Sequence, residues 1–295
     1  MIEYPKKIIV IAGPTASGKS DIALNLAKEI NGYIINGDSR QLYKQLNIGT
    51  AKPNFEKEIE GNIYTIDNIK HYLYDFIDPK TNFTLYDYQQ CVQEVLTKTE
   101  GIPILVGGTG LYIDSIVFNY HLTKNNTKEN ENLNDKSVEQ LQILAKGYLP
   151  DMNLSDRKNK HRLIRAIQRK GVNEIKGEPL DHIYFVVDIP KDTLQKRVRE
   201  RIERMFKEGL LKENISLLEK GYTYEDRGMN SIGYIEFREY FENKISLDEV
   251  KEKIYRNSIS YIKRQRTWFK RNKSNIWINS YEDILQIASN FILKE

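Results

Sequence analysis

The stretch Ile8-Ile-Val-Ile-Ala-Gly-Pro-Thr-Ala-Ser-Gly-Lys-Ser20 decides how the rest of the chain is read. A β-branched apolar run, Ile8 to Ile11, precedes Gly13 and Gly18, which bracket four residues and are followed by Lys19 and Ser20. An amphipathic stretch, Asp21 to Ile30, comes next. This is the G-x-x-x-x-G-K-[ST] pattern between a strand and a helix. Gly13, Pro14, Thr15, Ala16, Ser17, Gly18, Lys19 and Ser20 are therefore expected to form a socket for a di- or triphosphate. Its glycines let backbone N–H groups turn around an anion, and the positive end of the following helix points at the same spot. Lys19 adds a point charge, and Ser20 offers a hydroxyl to a magnesium ion. The competing reading is a glycine-rich turn that binds nothing. Neither reading says whose phosphates are held.

A chain of 295 residues has room for one large α/β domain, or for one domain with an insertion. Its single cysteine, Cys91, excludes an internal disulfide and a thiolate zinc cluster, and fits a reducing cytoplasm. Cys91 itself reads as packing. The N-terminus does not resemble a signal peptide, and no apolar run approaches membrane-spanning length. A cytoplasmic protein without a membrane partner is expected, and nothing demands more than a monomer. Net charge is only +4, but it is unevenly spread. Seven Lys or Arg and no acid lie between Arg157 and Lys170, and six more between Lys263 and Lys273, interleaved with Trp268 and Phe269. Such clusters suit a polyanion, against the alternative of a solvated helix face.

Beyond the loop, Tyr33-Ile-Ile reads as a strand ending in Asn36-Gly-Asp-Ser39. Ligands of doubly wound sheets sit past the carboxyl ends of strands, so Asp38 is expected over the crevice that holds the phosphates. There it could accept a proton or hold magnesium; alternatively it caps a helix over Ser39 to Leu46. Ile48-Gly-Thr-Ala-Lys-Pro53 is a pattern-breaking turn, and its Lys52 is either near the site or on the surface. Residues 54–70 look polar and weakly ordered. Tyr72, Tyr74 and Phe76 alternate as in a strand or cleft wall, and Thr84 to Thr99 has helical spacing. Ile102-Pro-Ile-Leu-Val106 is a buried strand ending in Gly107-Gly-Thr-Gly-Leu-Tyr112, where Thr109 can offer a hydroxyl to a phosphate oxygen. Composition changes from His121 to Asp135, marking an exposed insertion. Arg162, Arg165 and Arg169 share a helix face. A strand over His182 to Ile189 leads to a helix with Arg197, Arg201 and Arg204 on one side, placed either to clamp phosphate oxygens or to form surface ion pairs. A long helix over Tyr255 to Lys270, a strand at Trp277 and Ile278, and a closing helix over Ile284 to Leu293 complete the chain.

The fold expected is α/β, a P-loop NTPase-like three-layer fold around a central parallel sheet. Residues 1–118 and 156–295 would form the core and residues 119–155 a short inserted subdomain.

Several blocks resemble the tRNA dimethylallyltransferases, also called tRNA isopentenyltransferases. They are Gly13–Ser20, Asp38-Ser-Arg-Gln-Leu-Tyr-Lys44, Ile48-Gly-Thr-Ala-Lys-Pro53, Gly107-Gly-Thr-Gly-Leu-Tyr112, Arg162-Leu-Ile-Arg-Ala166, Ile232-Gly-Tyr234 and Lys263-Arg-Gln-Arg-Thr-Trp-Phe269. The resemblance runs from Ile8 to about Trp277. It implies transfer of a dimethylallyl group from dimethylallyl diphosphate to N6 of the adenosine 3′ of the anticodon (position 37) in tRNA. The phosphate loop would then hold the isoprenoid diphosphate, with Mg2+ on Ser20. Asp38 would act as general base, and Thr109 and Arg201 would stabilise the leaving diphosphate. Asp38, Ser39, Arg40, Gln41, His161, Arg162, Arg165, Lys263, Arg264, Gln265 and Trp268 would contact the tRNA. The chain departs from the family in its short segment 119–155, in Ile235 where a basic residue is common, and in Ile259 where an Arg usually stands. Three other readings stay open: prenylation of free adenylate, a P-loop kinase acting on a small metabolite, and a nucleic-acid binder without catalysis.

Overall fold

Strand β1 (Ile8–Ala12) is buried along its whole length. Its side chains alternate between two clusters on opposite faces of the sheet. Ile8, Val10 and Ala12 join one, while Ile9 and Ile11 join the other. This two-sided burial is why the run is continuously apolar rather than alternating. Each such side chain contributes roughly 1.5–3 kcal/mol relative to exposure.

The computed structural model describes residues 2, 7–59, 61–122, 133–168 and 176–294. The sheet has eight strands in the order β3-β4-β5-β2-β6-β1-β7-β8. They are β2 (Gly32–Asn36), β3 (Lys57–Glu58), β4 (Tyr64–Ile66), β5 (Ile69–Tyr72), β6 (Ile102–Gly107), β7 (His182–Val187) and β8 (Ile276–Ile278), besides β1. From β5 to β8 the pairing is parallel; β3 and β4 add antiparallel strands at one edge. Helices α1 (Lys19–Glu29) and α10 (Tyr281–Leu293) pack on one face. Helices α2 (Leu85–Lys98) and α3 (Gly110–Val117) pack on the other, completing three layers.

Residues 54–70, expected to be weakly ordered, instead form the β3–β4–β5 antiparallel edge. Asp67 and Asn68 sit at φ +51° and +63°, the left-handed pair that tightens a two-residue hairpin turn. Cys91 is half-buried on α2, and the Thr84 side chain caps that helix in a capping box with Asp87.

The chain divides into two compact units. The larger comprises Ile2–Asn119 and Glu178–Glu295, and the smaller Tyr120–Gly177. The smaller unit extends past residue 155, where the inserted subdomain was expected to end. Its α4 (Val138–Leu144) and α5 (Lys160–Gln168) bury Leu141, Ala145, Leu163 and Ile164 against one another, so the basic helix belongs to the insertion. His161, Arg162 and Arg165 lie on the exposed side of α5. Arg169 lies outside the described residues, as does most of the His121–Asp135 composition break.

A third apolar cluster in the larger unit joins α6 (Lys191–Glu208), α7 (Leu210–Glu219), α8 (Arg238–Phe241) and α9 (Leu247–Phe269). Ile259, one departure from the family pattern, packs against it.

Candidate active site

Three strand ends meet at one point. In the register, Ala12 of β1 lies opposite Gly107 of β6, and Asn36 of β2 opposite Val106 of β6. The loops after β1, β6 and β2 therefore emerge side by side. This brings together the phosphate loop, Gly107-Gly-Thr109 and Gly37-Asp38-Ser39. The approach of the last two is close: a Cβ on Gly107 would stand 2.2 Å from Gly37 backbone atoms. Only glycine fits there.

Within the phosphate loop, Ala16 and Gly18 both take left-handed backbone, at φ +66° and +85°. Such reversals turn successive amides inward. Ser17 Oγ is buried without a protein partner, an atom suited to an anion oxygen. Lys19 begins α1 and lies beneath the loop, with Pro14 O at 3.5 Å. Burial, only partly offset by the Asp38 carboxylate and reinforced by Arg201, pulls the Lys19 ammonium down to about 8. Arg201 on α6 is likewise lowered to about 10, by burial against the attraction of Asp38 and with repulsion from Arg204. Two desolvated cations thus share one carboxylate. An added diphosphate would relieve both.

Asp38 is held on both sides. Its N–H donates to Asn36 Oδ1 at 2.8 Å, and its Oδ1 accepts the Arg40 N–H at 2.9 Å. Asn36, fully buried, also donates its amide to Asp38 O at 3.2 Å and to Leu73 O at 2.9 Å. The segment Ser39 to Leu46 forms turns rather than a helix, so the capping alternative for Asp38 reduces to a local turn. Thr109 Oγ1 accepts the Ser39 N–H at 3.1 Å and lies 3.2 Å from Ser39 Oγ. Tyr261 on α9 also hydrogen-bonds Thr109; burial raises its phenol to about 12.

These groups open into one cavity of about 450 Å³. Thr15, Asp38, Thr109 and Arg201 line it together with a wall of Val198, Ile202, Met205, Ile232, Ile235 and Ile254, interspersed with the polar Asn230, Ser231, Glu236, Asn257 and Ser258. Ile235, the other departure, is therefore part of that wall.

The remaining expected residues divide. Arg40 and Arg264 reach the cavity rim, and Lys263 is exposed beside them in sequence. Gln41 instead braces the next turn, donating to Thr50 O at 3.1 Å and Ala51 O at 2.9 Å. Gln265 is turned inward and buried. It accepts the Thr15 N–H at 3.0 Å and donates to Gly108 O at 2.8 Å. Trp268 sits on Gly110, whose Cβ would meet the indole at 2.2 Å, and donates its N–H to Asp114 at 2.7 Å. Gln265 thus locks α9 to the phosphate and β6 loops, and Trp268 locks it to α3. Lys52 is not free on the surface: it is tied to Asp75, Tyr43 O and Asn47.

Asn36 escaped the sequence reading of the site, whereas Arg197, one of the three arginines read as phosphate clamps or surface ion pairs, reaches the phosphate-loop backbone. Arg197 Nη1 approaches Ala16 O at 3.4 Å and Ser17 O at 3.5 Å. A polar residue ending an otherwise apolar strand was the available signal for Asn36.

Among the described residues, no group of three or more His, Cys, Asp or Glu could hold a metal ion. Ser20, exposed in the first turn of α1, fits a magnesium bound mostly by phosphate oxygens and water. No helix among the described residues is long and apolar enough to cross a membrane.

The IPP transferase family model matches residues 41–272. The tRNA dimethylallyltransferase of Staphylococcus haemolyticus is 34% identical over 95% of this chain and 89% of its own length. That of Geobacter sulfurreducens is 33% identical over 97% and 96%. Among solved structures, the full-length tRNA isopentenylpyrophosphate transferase of Bacillus halodurans superposes with a TM-score of 0.72 at 29% identity, covering 98% of this chain and 95% of that one. A eukaryotic dimethylallyltransferase shares the fold, with a TM-score of 0.79 at 23% identity over 97% and 79%. The matched region begins after the phosphate loop, so loop and family model are separate findings that agree: the chain belongs to the IPP transferase family.

Proposed function

We propose that the protein transfers a dimethylallyl group from dimethylallyl diphosphate to N6 of the adenosine 3′ of the anticodon, position 37, in tRNA. The observation that carries this reading is the single cavity in which Asp38, Thr109 and Arg201 adjoin apolar side chains. A nucleotide kinase needs room for a base and ribose beside its phosphates. An isoprenoid diphosphate needs polar groups for its phosphates and apolar ones for its chain, and this cavity offers both.

The allylic C–O bond breaks and its electron pair leaves on the diphosphate oxygen. Lys19, Arg201 and the loop amides stabilise that charge as it develops, and burial has already cost both cations part of their hydration. The adenine N6 attacks the allylic carbon, a C–N bond forms, and the proton leaving N6 passes to Asp38. Magnesium, held by Ser20 and the diphosphate, would neutralise further charge when bound. Thr109 fastens the Asp38–Ser39 segment to the β6 loop, and Asn36 fixes its backbone, so the base is held before substrate arrives. The adenine must leave its stack to reach this depth. Lys263, Arg264, Arg40, His161, Arg162 and Arg165 would contact the RNA, largely through its phosphates. The reaction would take place in the cytoplasm.

The test uses magnesium, labelled dimethylallyl diphosphate, and either tRNA or AMP, without ATP. Label in tRNA at the adenosine beside the anticodon is the expected result. Label in AMP alone, or ATP consumption with neither acceptor labelled, would overturn the assignment.

A further inference from the structure

Two sequence blocks, Ile48-Gly-Thr-Ala-Lys-Pro53 and Ile232-Gly-Tyr234, border the cavity through Gly49, Thr50 and Ile232. They meet at one carboxylate. Glu213 on α7 accepts the backbone N–H groups of Asn47 at 3.1 Å, Ile48 at 2.9 Å and Gly49 at 3.2 Å. It also accepts the Tyr234 hydroxyl at 2.6 Å. Consecutive amides gathered on one anion form a nest, here filled by the protein's own side chain. Both glycines are needed for the approach. A Cβ on Gly49 would stand 2.5 Å from the Tyr234 ring. Gly233 takes φ +96°, and a Cβ there would lie 3.1 Å from the Gly49 backbone. Tyr234 is wholly buried, and burial with the adjacent carboxylate keeps its phenol protonated as a donor.

The nest sits one residue from the active site. The carbonyl of Thr50 accepts from Arg201 Nη2 at 3.4 Å, and Gly49 and Thr50 both line the cavity. Thr50 Oγ1 donates to Leu46 O at 2.6 Å, so its own turn is closed. A continuous path of contacts thus runs from Glu213 through the 47–49 amides to the Thr50 carbonyl and the Arg201 guanidinium.

We infer that Glu213 is a positioning residue: by clamping the Asn47–Thr50 turn it aims Arg201 at the diphosphate. The inference rests on the reading of Arg201 as a diphosphate contact. The glutamine of Glu213→Gln keeps the shape but has one acceptor oxygen, so part of the nest faces an NH2 group. The expected effect is a fall of about tenfold in kcat/KM for dimethylallyl diphosphate, from lost buried bonds. Affinity for tRNA should stay within about twofold. The discriminating measurement is a double-mutant cycle with Arg201→Ala. If Glu213 acts through Arg201, adding Glu213→Gln to Arg201→Ala costs less than about twofold more. A merely structural clamp would multiply the two losses in full, and that result overturns the inference. So does a Glu213→Gln enzyme with unchanged kcat/KM. If Arg201→Ala alone is near wild type, the diphosphate reading of Arg201 fails first, which is a distinguishable outcome. Tyr234→Phe removes one donor and leaves the nest intact. Should Glu213→Gln not fold, Tyr234→Phe gives the same cycle with a smaller loss of roughly twofold to threefold.

Discussion

The phosphate loop and the basic block of α9 are both short contiguous signatures, but folding treats them oppositely. The eight residues of the loop stay together around one point. The block Lys263–Phe269 is divided: Lys263, Arg264 and Thr267 are exposed, whereas Gln265 and Phe269 are buried and Trp268 packs on Gly110. The reason is geometric. A loop at a strand end presents its backbone, so neighbouring residues serve one ligand. A helix turns about 100° per residue, so neighbours face different partners. One motif on α9 therefore faces two ways, with the charges of Lys263 and Arg264 outside and the Gln265 amide inside against the phosphate loop.

The largest effect should come from the socket side. Asp38→Ala is expected to lower the rate of single-turnover prenylation about 10³-fold, in the range of a lost general base. Filter binding of tRNA should change less than about twofold. A rate within tenfold of wild type would remove Asp38 as the base. Gln265→Ala tests the inward face of α9. It strands the Thr15 N–H and the Gly108 carbonyl, for roughly 1–3 kcal/mol, or about thirtyfold in kcat/KM for the diphosphate. A loss appearing instead in tRNA affinity would erase the division of the block.

The two regions should also differ in pH response. With Lys19 lowered to about 8 by burial, it is mostly charged at neutral pH and loses its proton as pH rises through that value. Bound diphosphate favours the charged form, so kcat/KM for the diphosphate should fall about tenfold between about pH 7 and 9. Lys19→Arg should move this alkaline limb upward, because a guanidinium keeps its proton there. A limb unmoved by that change belongs to another group. The smallest effect is expected on the outer face of α9. Arg264→Ala should weaken tRNA binding by about fivefold and reduce the logarithmic salt slope by about 1, leaving the diphosphate KM within twofold. An unchanged slope would mean that Arg264 does not meet a phosphate.

Much of the core was legible because each of its signals is local. Gly13–Ser20, Asp38 and Gly107-Gly-Thr109 each follow an apolar strand, and strand ends converge in doubly wound sheets. The antiparallel edge was missed because strands as short as Lys57–Glu58 carry almost no periodicity. The hairpin signal lay in Asp67-Asn68, which was read as mere polarity. The basic helix α5, expected in the core, belongs with the insertion; an apolar stripe does not say which neighbour it will meet. Leu163 and Ile164 decide where it belongs. Glu213 was invisible, since an acid on a short helix gives no hint of the amides it meets from a distant loop.

The sequence by itself determined the phosphate socket, the parallel sheet and the residue types of the chemistry, because strands, glycine turns and helix starts are specified within a few neighbouring residues. Only the tertiary structure decided that β6 lies between β1 and β2, so that Thr109 fastens the Asp38 loop. It alone decided that Gln265 and Trp268 turn inward, and that Glu213 gathers the Asn47–Gly49 amides. Those outcomes depend on pairings between residues tens to hundreds of positions apart, which close packing selects and no local pattern encodes.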